Sequence, residues 1–332
     1  MTTKIVSTGM YVPSRIVTNH DLEKMMDTSD EWIQQRSGIK ERRWVEPGKD
    51  TTLSMAVAAC EQALTRSNLK ADDIDMIIFG ALVTDYIFPG TGVLLQESLG
   101  FSKTVPALDI RNQCSGFLYG LSVADAWIRT GMYKRILLVG SEIHSTSLDT
   151  TTRGRDISVL FGDGAGAIIV EACDDNSSEI LSTVLHSEGK GAEVLCLRKP
   201  SSNDSPRIPM NKELSQDWYP YMEGRQVFKN AVTRMTEAVF EVCEKTNTSI
   251  SQIDFLIAHQ ANLRINQMVM DHLKLPLEKT HNTLQKYGNT TMATIPITFD
   301  EAILSGKIQR GHTVVLCAFG AGFTWGATLL KY

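Results

Sequence analysis

The sequence alternates short apolar runs with segments whose apolar residues recur at helical spacing. "VPALDIR" (105–111) is typical of a buried strand, and "SGFLYGLSVADAWIRTG" (115–131) is typical of an amphipathic helix ending at a glycine. Two further helices are predicted at 53–64 and 234–245, each before an apolar strand. Short strands alternating with helices predict an α/β fold with a largely parallel sheet covered by helices.

This pattern occurs twice along the chain. Three stretches of the first part recur in the second in the same order: "DDIDMIIFG" (72–80) as "SQIDFLIAH" (251–259), "IRTGMYKRILLVG" (128–140) as "ILSGKIQRGHTVVLC" (303–317), and "GAGAIIV" (164–170) as "TWGATLL" (324–330). We therefore predict two pseudo-two-fold-related halves, 1–173 and 174–332, divided at the polar turn cluster 171–179. The segment 198–226, rich in Ser, Pro and Asn, is predicted to run over the surface.

Composition and charge exclude several classes of protein. Of the 332 residues 42% are hydrophobic and 21% charged, and the net charge of −5 argues against a nucleic-acid partner. No run of about 18 apolar residues predicts a membrane span, and the N-terminus is typical of a strand rather than a signal peptide. The six cysteines are scattered without a C-x-x-C pair, which argues against a disulfide framework and a zinc site. We therefore expect a cytoplasmic protein that binds no metal, nucleic acid or membrane.

Cys114 lies in "RNQCSGFLYG" (111–120), between the predicted strand and the predicted helix. Most cysteines are buried and inert, so a merely packed cysteine is the simpler interpretation. The N–H groups and macrodipole of a helix N-terminus, however, favour the reactive thiolate by ~0.3–2 kcal/mol. Gly116 and Gly120 would allow another segment to approach closely. At this point both interpretations of Cys114, a nucleophile and an inert packed cysteine, remain open.

Two later residues could act together with a thiolate. His259 ends an apolar strand in "FLIAHQANLRI" (255–265), and open α/β sheets place their sites at the carboxyl ends of strands. The alternative is a capped core histidine, while most of the histidines lie in polar surroundings and are predicted to be surface residues. Asn289 follows a glycine in "KYGNTTMATIP" (286–296), where a plain turn asparagine is the alternative.

Glycine-rich stretches suggest two further kinds of site. "AFGAGFTWGATLL" (318–330) offers backbone N–H donors that could hold an oxyanion. "FGDGAGAIIV" (161–170) looks like a dinucleotide loop, but the strand that follows it argues against that function. Cys, His and Asn in this order also occur in papain-like proteases, whose local cysteine signature and Asn spacing are absent here.

The sequence resembles the thiolase superfamily and, within it, the β-ketoacyl-(acyl-carrier-protein) synthase III family. The resemblance covers almost the whole chain and is carried by "DEWIQQRSGIKERR" (30–43), "CSGFLYGL" (114–121), "VLFGDGAGAIIV" (159–170), "AHQANLRI" (258–265) and "YGNTTMATIP" (287–296). It implies a five-layered αβαβα fold, a homodimer and no cofactor. It also implies decarboxylative condensation of a short acyl-CoA starter with malonyl-acyl carrier protein, which initiates fatty-acid or related polyketide synthesis.

The resemblance also implies roles for individual residues. Cys114 would carry the acyl group, and the backbone N–H groups of Cys114 and Ala321 would hold the developing oxyanion. His259 and Asn289 would donate hydrogen bonds to the malonyl thioester oxygen as carbon dioxide leaves.

The remaining implied positions concern substrate binding. Trp32 and Arg36 would hold the adenine region of CoA, with Arg155 on the other side. The pantetheine tunnel would be lined by Gly224, Phe228, Ala261 and Asn262, and positive charge for the carrier protein would come from Arg225, Lys229 and Arg264. Phe88, in "DYIFPG", would reach the acyl pocket of the partner subunit.

Two alternatives remain within the same fold. One is an acyltransferase of secondary metabolism that transfers its acyl group without decarboxylation, and the other is a non-catalytic binding protein. The binding protein is disfavoured because Cys114, His259 and Asn289 are all present.

Overall fold

The computed structural model describes residues 1–174, 178–208 and 214–332. Residues 175–177, in the predicted boundary, and 209–213, in the predicted surface segment, lie outside the described residues. The strands are β1 Thr2–Tyr11, β2 Ile16–Thr18, β3 Glu41–Arg43, β4 Met76–Gly80, β5 Ala107–Ile110, β6 Arg135–Glu142, β7 Gly164–Cys173, β8 Glu179–Ser187, β9 Leu195–Cys196, β10 Tyr221–Met222, β11 Phe255–Ala258, β12 Thr313–Gly320 and β13 Thr324–Lys331. The helices are α1 Asn19–Glu23, α2 Asp30–Ser37, α3 Thr52–Ser67, α4 Thr91–Ser98, α5 Gly116–Arg129, α6 Arg155–Ser158, α7 Gly224–Lys245, α8 Leu263–Leu273, α9 Leu284–Tyr287 and α10 Thr294–Leu304.

The predicted helices form where the apolar spacing places them. The predicted helix 115–131 is α5, and Gly131 just beyond it adopts a left-handed φ of 74°. The predicted helix 53–64 is α3, whose first turn is capped by the Thr51 side chain. The predicted helix 234–245 is the last part of α7, which begins earlier, at Gly224.

Two mixed sheets organise the chain, in the strand orders β1-β7-β6-β4-β5 and β11-β12-β13-β8. β4 is parallel to β5 and β6, and β11 is parallel to β12. β7 and β13, however, are antiparallel to both of their neighbours. The expectation of a largely parallel sheet is therefore wrong. Residues 321–323 alone join β12 to β13, and so short a connection permits only an antiparallel pair.

The two sheets share one plan. The order β1-β7-β6-β4 in the first sheet corresponds to β8-β13-β12-β11 in the second, as the internal repeat predicts. β5 extends the first sheet beyond β4, and it leads directly into the segment that carries Cys114.

The helices cover and separate these sheets in layers. α3 and α4 pack on the outer face of the first sheet, and α7 and α8 pack on the outer face of the second. α5 and α10 lie between the sheets, where Phe117 and Phe299 share one core with Ile78 of the first sheet and Leu316 of the second. The predicted five-layered αβαβα fold is thus confirmed.

Some functional classes can be tested against the described part of the chain. There, no helix is both long enough and apolar enough to cross a membrane. The same residues bring together no group of three His, Cys, Asp or Glu side chains that could hold a metal ion.

Candidate active site

Cys114 lies in a single turn, Gln113–Ser115, between β5 and α5. Gln113 has a φ of 40°, in the left-handed region that residues other than glycine rarely adopt, and this conformation turns the chain from strand into helix. The Cys114 side chain is 8% exposed. Gly320, at the end of β12, lies against it, so the cysteine of the first sheet directly meets the second sheet.

Burial dominates the acidity of the Cys114 thiol. It raises the pKa from 9.0 to about 12, and the buried Glu142 carboxylate adds to the effect. That rise is worth ~4 kcal/mol, since a pKa change of one is worth ~1.4 kcal/mol, whereas the helix N-terminus offers ~0.3–2 kcal/mol. The expectation of a thiolate favoured by the helix end is therefore wrong, and the resting residue is a thiol.

His259 follows β11 directly, and its N–H donates to the Cys317 carbonyl at 2.8 Å. Its ring is 4% exposed, and Nδ1 lies 2.7 Å from Thr294 Oγ1. Nε2 is buried and has no hydrogen-bond partner among the described residues. Burial lowers the pKa of His259 to about 3, so the imidazole is neutral near pH 7. A buried nitrogen without a partner is costly, which distinguishes His259 from a capped core histidine.

The Asn289 turn is attached to the first half of the chain. Asn289 N–H donates to the Leu160 carbonyl at 2.8 Å, and its own carbonyl accepts from Gly162 N–H at 3.1 Å. Its side-chain Oδ1 accepts from Thr291 N–H at 2.8 Å, which leaves the Nδ2 amino group as the donor end. Thr291 has a φ of 44°, an outlier for a β-branched residue, so local strain accompanies this orientation.

Met292, next in the same segment, is held by three glycines of the first half. A Cβ on Gly80, Gly116 or Gly140 would lie 1.9, 2.9 or 2.8 Å from a Met292 side-chain atom. We call these three residues the glycine socket. They keep the Asn289 turn beside α5, the helix that begins just after Cys114. The expected close approach at Gly116 is therefore observed.

One cavity of about 960 Å³ brings the candidate groups together. Cys114, His259, Asn289 and Ala321 all line it. Eight of the ten residues predicted to bind CoA or carrier protein line the same cavity: Trp32, Arg36, Gly224, Arg225, Phe228, Ala261, Asn262 and Arg264.

Aromatic and cationic side chains are stacked along part of this lining. The Arg36 guanidinium lies 4.2 Å from the centre of the Trp32 ring, and that of Arg155 lies 5.2 Å from it. Asn262 Nδ2 donates to the Arg36 carbonyl at 2.8 Å and so joins α8 to α2. Such a cluster offers an aromatic face and positive charge to a nucleotide phosphate.

Three predicted residues are not among the described residues that line the cavity. Arg155 lies over the ring of Trp32, which lines the cavity. Lys229 is exposed on α7, and Phe88 is 86% exposed in the loop between β4 and α4.

The sequence prediction missed a buried polar cluster beside Cys114. His144 lines the cavity and is 3% exposed, so it is an exception to the prediction that most of the histidines are surface residues. Its Nε2 lies 3.1 Å from Thr291 Oγ1 and 3.9 Å from Glu142 Oε2. Burial raises the pKa of Glu142 to about 7. Glu142 and His144 lie at the carboxyl end of β6. A position at the carboxyl end of a strand is also what pointed to His259 in the sequence.

Comparisons with known proteins identify the family of this chain. Two family models match: 3-oxoacyl-[acyl-carrier-protein (ACP)] synthase III over residues 108–189, and the C-terminal part of the same enzyme over residues 243–332. The β-ketoacyl-[acyl-carrier-protein] synthase III of Coxiella burnetii is 42% identical over 328 residues, covering 99% of this chain and 98% of the relative. The enzyme of the same name from Aquifex aeolicus is 42% identical over 332 residues, covering 100% of both chains.

Solved structures show the same similarity. The crystal structure of the Aquifex aeolicus 3-oxoacyl-[acyl-carrier-protein] synthase III superimposes with a TM-score of 0.90 and covers 99% of this chain and 100% of the other. The Thermus thermophilus enzyme of this name gives a TM-score of 0.90 at 37% identity, covering 99% of each chain.

Proposed function

The chain belongs to the 3-oxoacyl-[acyl-carrier-protein] synthase III family, and we propose that it condenses a short acyl-CoA starter with malonyl-acyl carrier protein. The reaction is a decarboxylative Claisen condensation that initiates fatty-acid or related polyketide synthesis. One observation carries the proposal: a buried thiol shares a cavity with a neutral histidine and an asparagine amide, each with a polar nitrogen that makes no hydrogen bond to the described residues.

In the first half-reaction Cys114 accepts the acyl group. The sulfur attacks the thioester carbonyl, the bond to the CoA sulfur breaks, and the thiol proton leaves with CoA as its thiol. The backbone N–H groups of Cys114 and Ala321 stabilise the oxyanion formed on the way. Burial raises the pKa of the Cys114 thiol, so the reaction starts from the thiol and the proton has to leave the sulfur in this half-reaction.

In the second half-reaction the malonyl group loses carbon dioxide. The electron pair of the broken C–C bond becomes an enolate, whose negative charge rests on the thioester oxygen. His259 Nε2 and Asn289 Nδ2 stabilise that oxygen by hydrogen bonds. The enolate carbon then attacks the acyl thioester, and the released Cys114 sulfur takes up a proton from water.

An acyltransferase that does not decarboxylate is the second candidate. It would need a base to activate an outside nucleophile, whereas an enolate needs donors in place before the charge forms. The Asn289 amide presents its donor end, and the neutral His259 can do so as well. Two donors favour the condensing reaction over simple acyl transfer.

We extend the proposal to a cytoplasmic homodimer that needs no cofactor or metal beyond its substrates. Apolar side chains support the dimer, since Tyr86, Ile87 and Phe88 are 57%, 70% and 86% exposed on one loop. In the proposed dimer Phe88 reaches the partner's acyl pocket. Light scattering should give twice the chain mass of 36.8 kDa, and a monomer at assay concentration would contradict this part of the proposal.

Intact-mass spectrometry with a panel of acyl-CoAs tests the function. We expect a covalent acyl adduct on the wild type that is absent in Cys114→Ala, followed by carbon dioxide release from malonyl-acyl carrier protein. If His259 serves only the decarboxylation, His259→Ala still forms the adduct but releases no carbon dioxide, whereas loss of the adduct as well would make His259 the base that takes the Cys114 proton. An adduct without any carbon dioxide release from the wild type would support the non-decarboxylating acyltransferase instead.

A further inference from the structure

The Thr294 hydroxyl lies between two atoms that could each accept its single proton. Oγ1 is 2.7 Å from His259 Nδ1 and 2.9 Å from the Thr291 carbonyl oxygen. That carbonyl already accepts a hydrogen bond from the backbone N–H of Thr294. His259 Nδ1 is the closer of the two atoms, and the Thr291 carbonyl, which already accepts one hydrogen bond, is satisfied without the hydroxyl proton.

We propose that Thr294 is a positioning residue: it donates its hydroxyl proton to His259 Nδ1 and so places the imidazole proton on Nε2, facing the reacting groups. A neutral imidazole carries one N–H, and the hydrogen bond made by one ring nitrogen decides which nitrogen keeps it. With Nδ1 accepting from Thr294, Nε2 is a donor.

The opposite tautomer would present the wrong group to the substrate. Its Nε2 would direct a lone pair at the enolate oxygen, and two acceptors repel each other. Burial keeps the pKa of His259 near 3, so a doubly protonated ring does not resolve this conflict near pH 7. The Thr294 hydroxyl resolves it.

Thr291 orients the second donor in the same way. Its N–H occupies Asn289 Oδ1 and leaves Nδ2 to donate. Thr291 and Thr294 lie in one short segment, so a single piece of backbone orients both His259 and Asn289. The catalytic meaning of this arrangement rests on the proposed condensing function, but the tautomer itself does not.

Nitrogen NMR of the wild type measures the tautomer directly. The protein is labelled with ¹⁵N-histidine, and long-range ¹⁵N–¹H correlations distinguish a protonated ring nitrogen from a bare one. The spectrum of His259→Asn identifies the signals that belong to His259. We expect a protonated Nε2 and a bare Nδ1 near pH 7, and the reverse assignment would overturn the proposal whatever the enzyme catalyses.

Two variants of Thr294 test the consequence for the reaction. Thr294→Val keeps the shape of the side chain without the hydroxyl, and Thr294→Ser keeps the hydroxyl. In the valine variant we expect kcat for condensation to fall about 10²-fold, with cysteine acylation changed less than about threefold. The ¹⁵N signals of His259 should move towards the other tautomer. The serine variant should restore both readouts.

The outcomes separate the possible failures. The proposal is overturned if Thr294→Val leaves the tautomer of His259 or the rate of condensation unchanged. It is also overturned if Thr294→Val and Thr294→Ser slow acylation and condensation to the same extent. If Thr294→Val does not fold, the wild-type spectrum decides. A wild type with Nε2 protonated that releases no carbon dioxide would contradict the proposed function and leave the tautomer inference intact.

Discussion

Gly320 faces Cys114 so closely that a side chain on it would collide with the cysteine. A Cβ built on Gly320 lies 2.8 Å from Cys114 Cβ and 3.2 Å from Cys114 N. Gly320→Ala should therefore displace the sulfur or the N–H beside it. Since an error of 1 Å in position can cost ~10²-fold in rate, we expect acylation to slow by at least about 10-fold.

Stopped-flow or quenched mass spectrometry of acyl-enzyme formation measures this effect. Gly189→Ala is the matched control, because a Cβ there meets nothing within 4 Å and the backbone φ is ordinary. Equal acylation rates in the two variants would show that the close contact does not constrain Cys114.

Asn289→Asp keeps the hydrogen bond that orients the side chain and removes the group that donates to the substrate. Aspartate retains an oxygen that can accept from Thr291 N–H, as Oδ1 does at 2.8 Å, but it replaces the Nδ2 donor by a second oxygen. Condensation should fall about 10²–10³-fold, the usual effect of losing one oxyanion donor. The two half-reactions are assayed separately, with acylation expected to persist, and a variant that still releases carbon dioxide at the wild-type rate would exclude Asn289 as a donor.

Glu142 should make stability depend on pH. Burial raises the pKa of this carboxyl from 4.5 to about 7, so between these values the folded chain binds more protons than the unfolded chain. The free energy of unfolding therefore falls as the pH rises through this range. Glu142→Gln removes the buried charge and should stabilise the protein by ~2–3 kcal/mol at pH 8, with little difference at pH 5.

Urea unfolding at the two pH values measures this change, with the exposed Glu278→Gln as control. The same Glu142→Gln variant should react faster with iodoacetamide, because Glu142 contributes to the raised pKa of Cys114. A pH-independent effect of Glu142→Gln would contradict the assignment of a buried titrating carboxyl.

The KM values for the two substrates should depend on different positively charged parts of the surface. Trp32→Ala removes the ring that Arg36 and Arg155 flank, and we expect KM for acyl-CoA to rise about 10-fold with kcat little changed, the pattern for lost binding. Lys229→Ala, at an exposed position of α7, should instead raise KM for malonyl-acyl carrier protein, and more so at low salt. Steady-state kinetics with each substrate varied compares them, and each variant is the control for the other. The same response to both substrates in either variant would refute the division.

The sequence predicted the candidate site better than its environment. Cys114 was singled out at the start of a predicted helix and His259 at the end of an apolar strand, and the structure places both on one cavity. His144 is placed by the same rule, but its polar neighbours suggested the surface. Local polarity is a poor guide there, because the cavity wall is assembled from distant loops that cover it.

Two errors have physical causes that no local pattern contains. The pKa of Cys114 depends on how fully the second sheet buries it, so the helix N-terminus alone gave the wrong sign. The sheets are mixed because β7 and β13 run back along their neighbours, whereas parallel and antiparallel buried strands have similar apolar runs. The internal repeat could be detected in the sequence because the corresponding strands follow one another in the same order in both halves.

Because of the glycine socket, the presence of Cys114, His259 and Asn289 in a sequence is not enough to predict an active enzyme. Replacing Gly140 by alanine would bring a carbon to 2.8 Å from Met292 Cγ and 3.1 Å from the Met292 carbonyl carbon, and so push the Asn289 turn away from Cys114. Such a chain would still contain Cys114, His259 and Asn289, and a motif search would classify it as competent. Among relatives of this protein, inactive members could therefore be recognised by alanine in place of one of the three glycines of the socket.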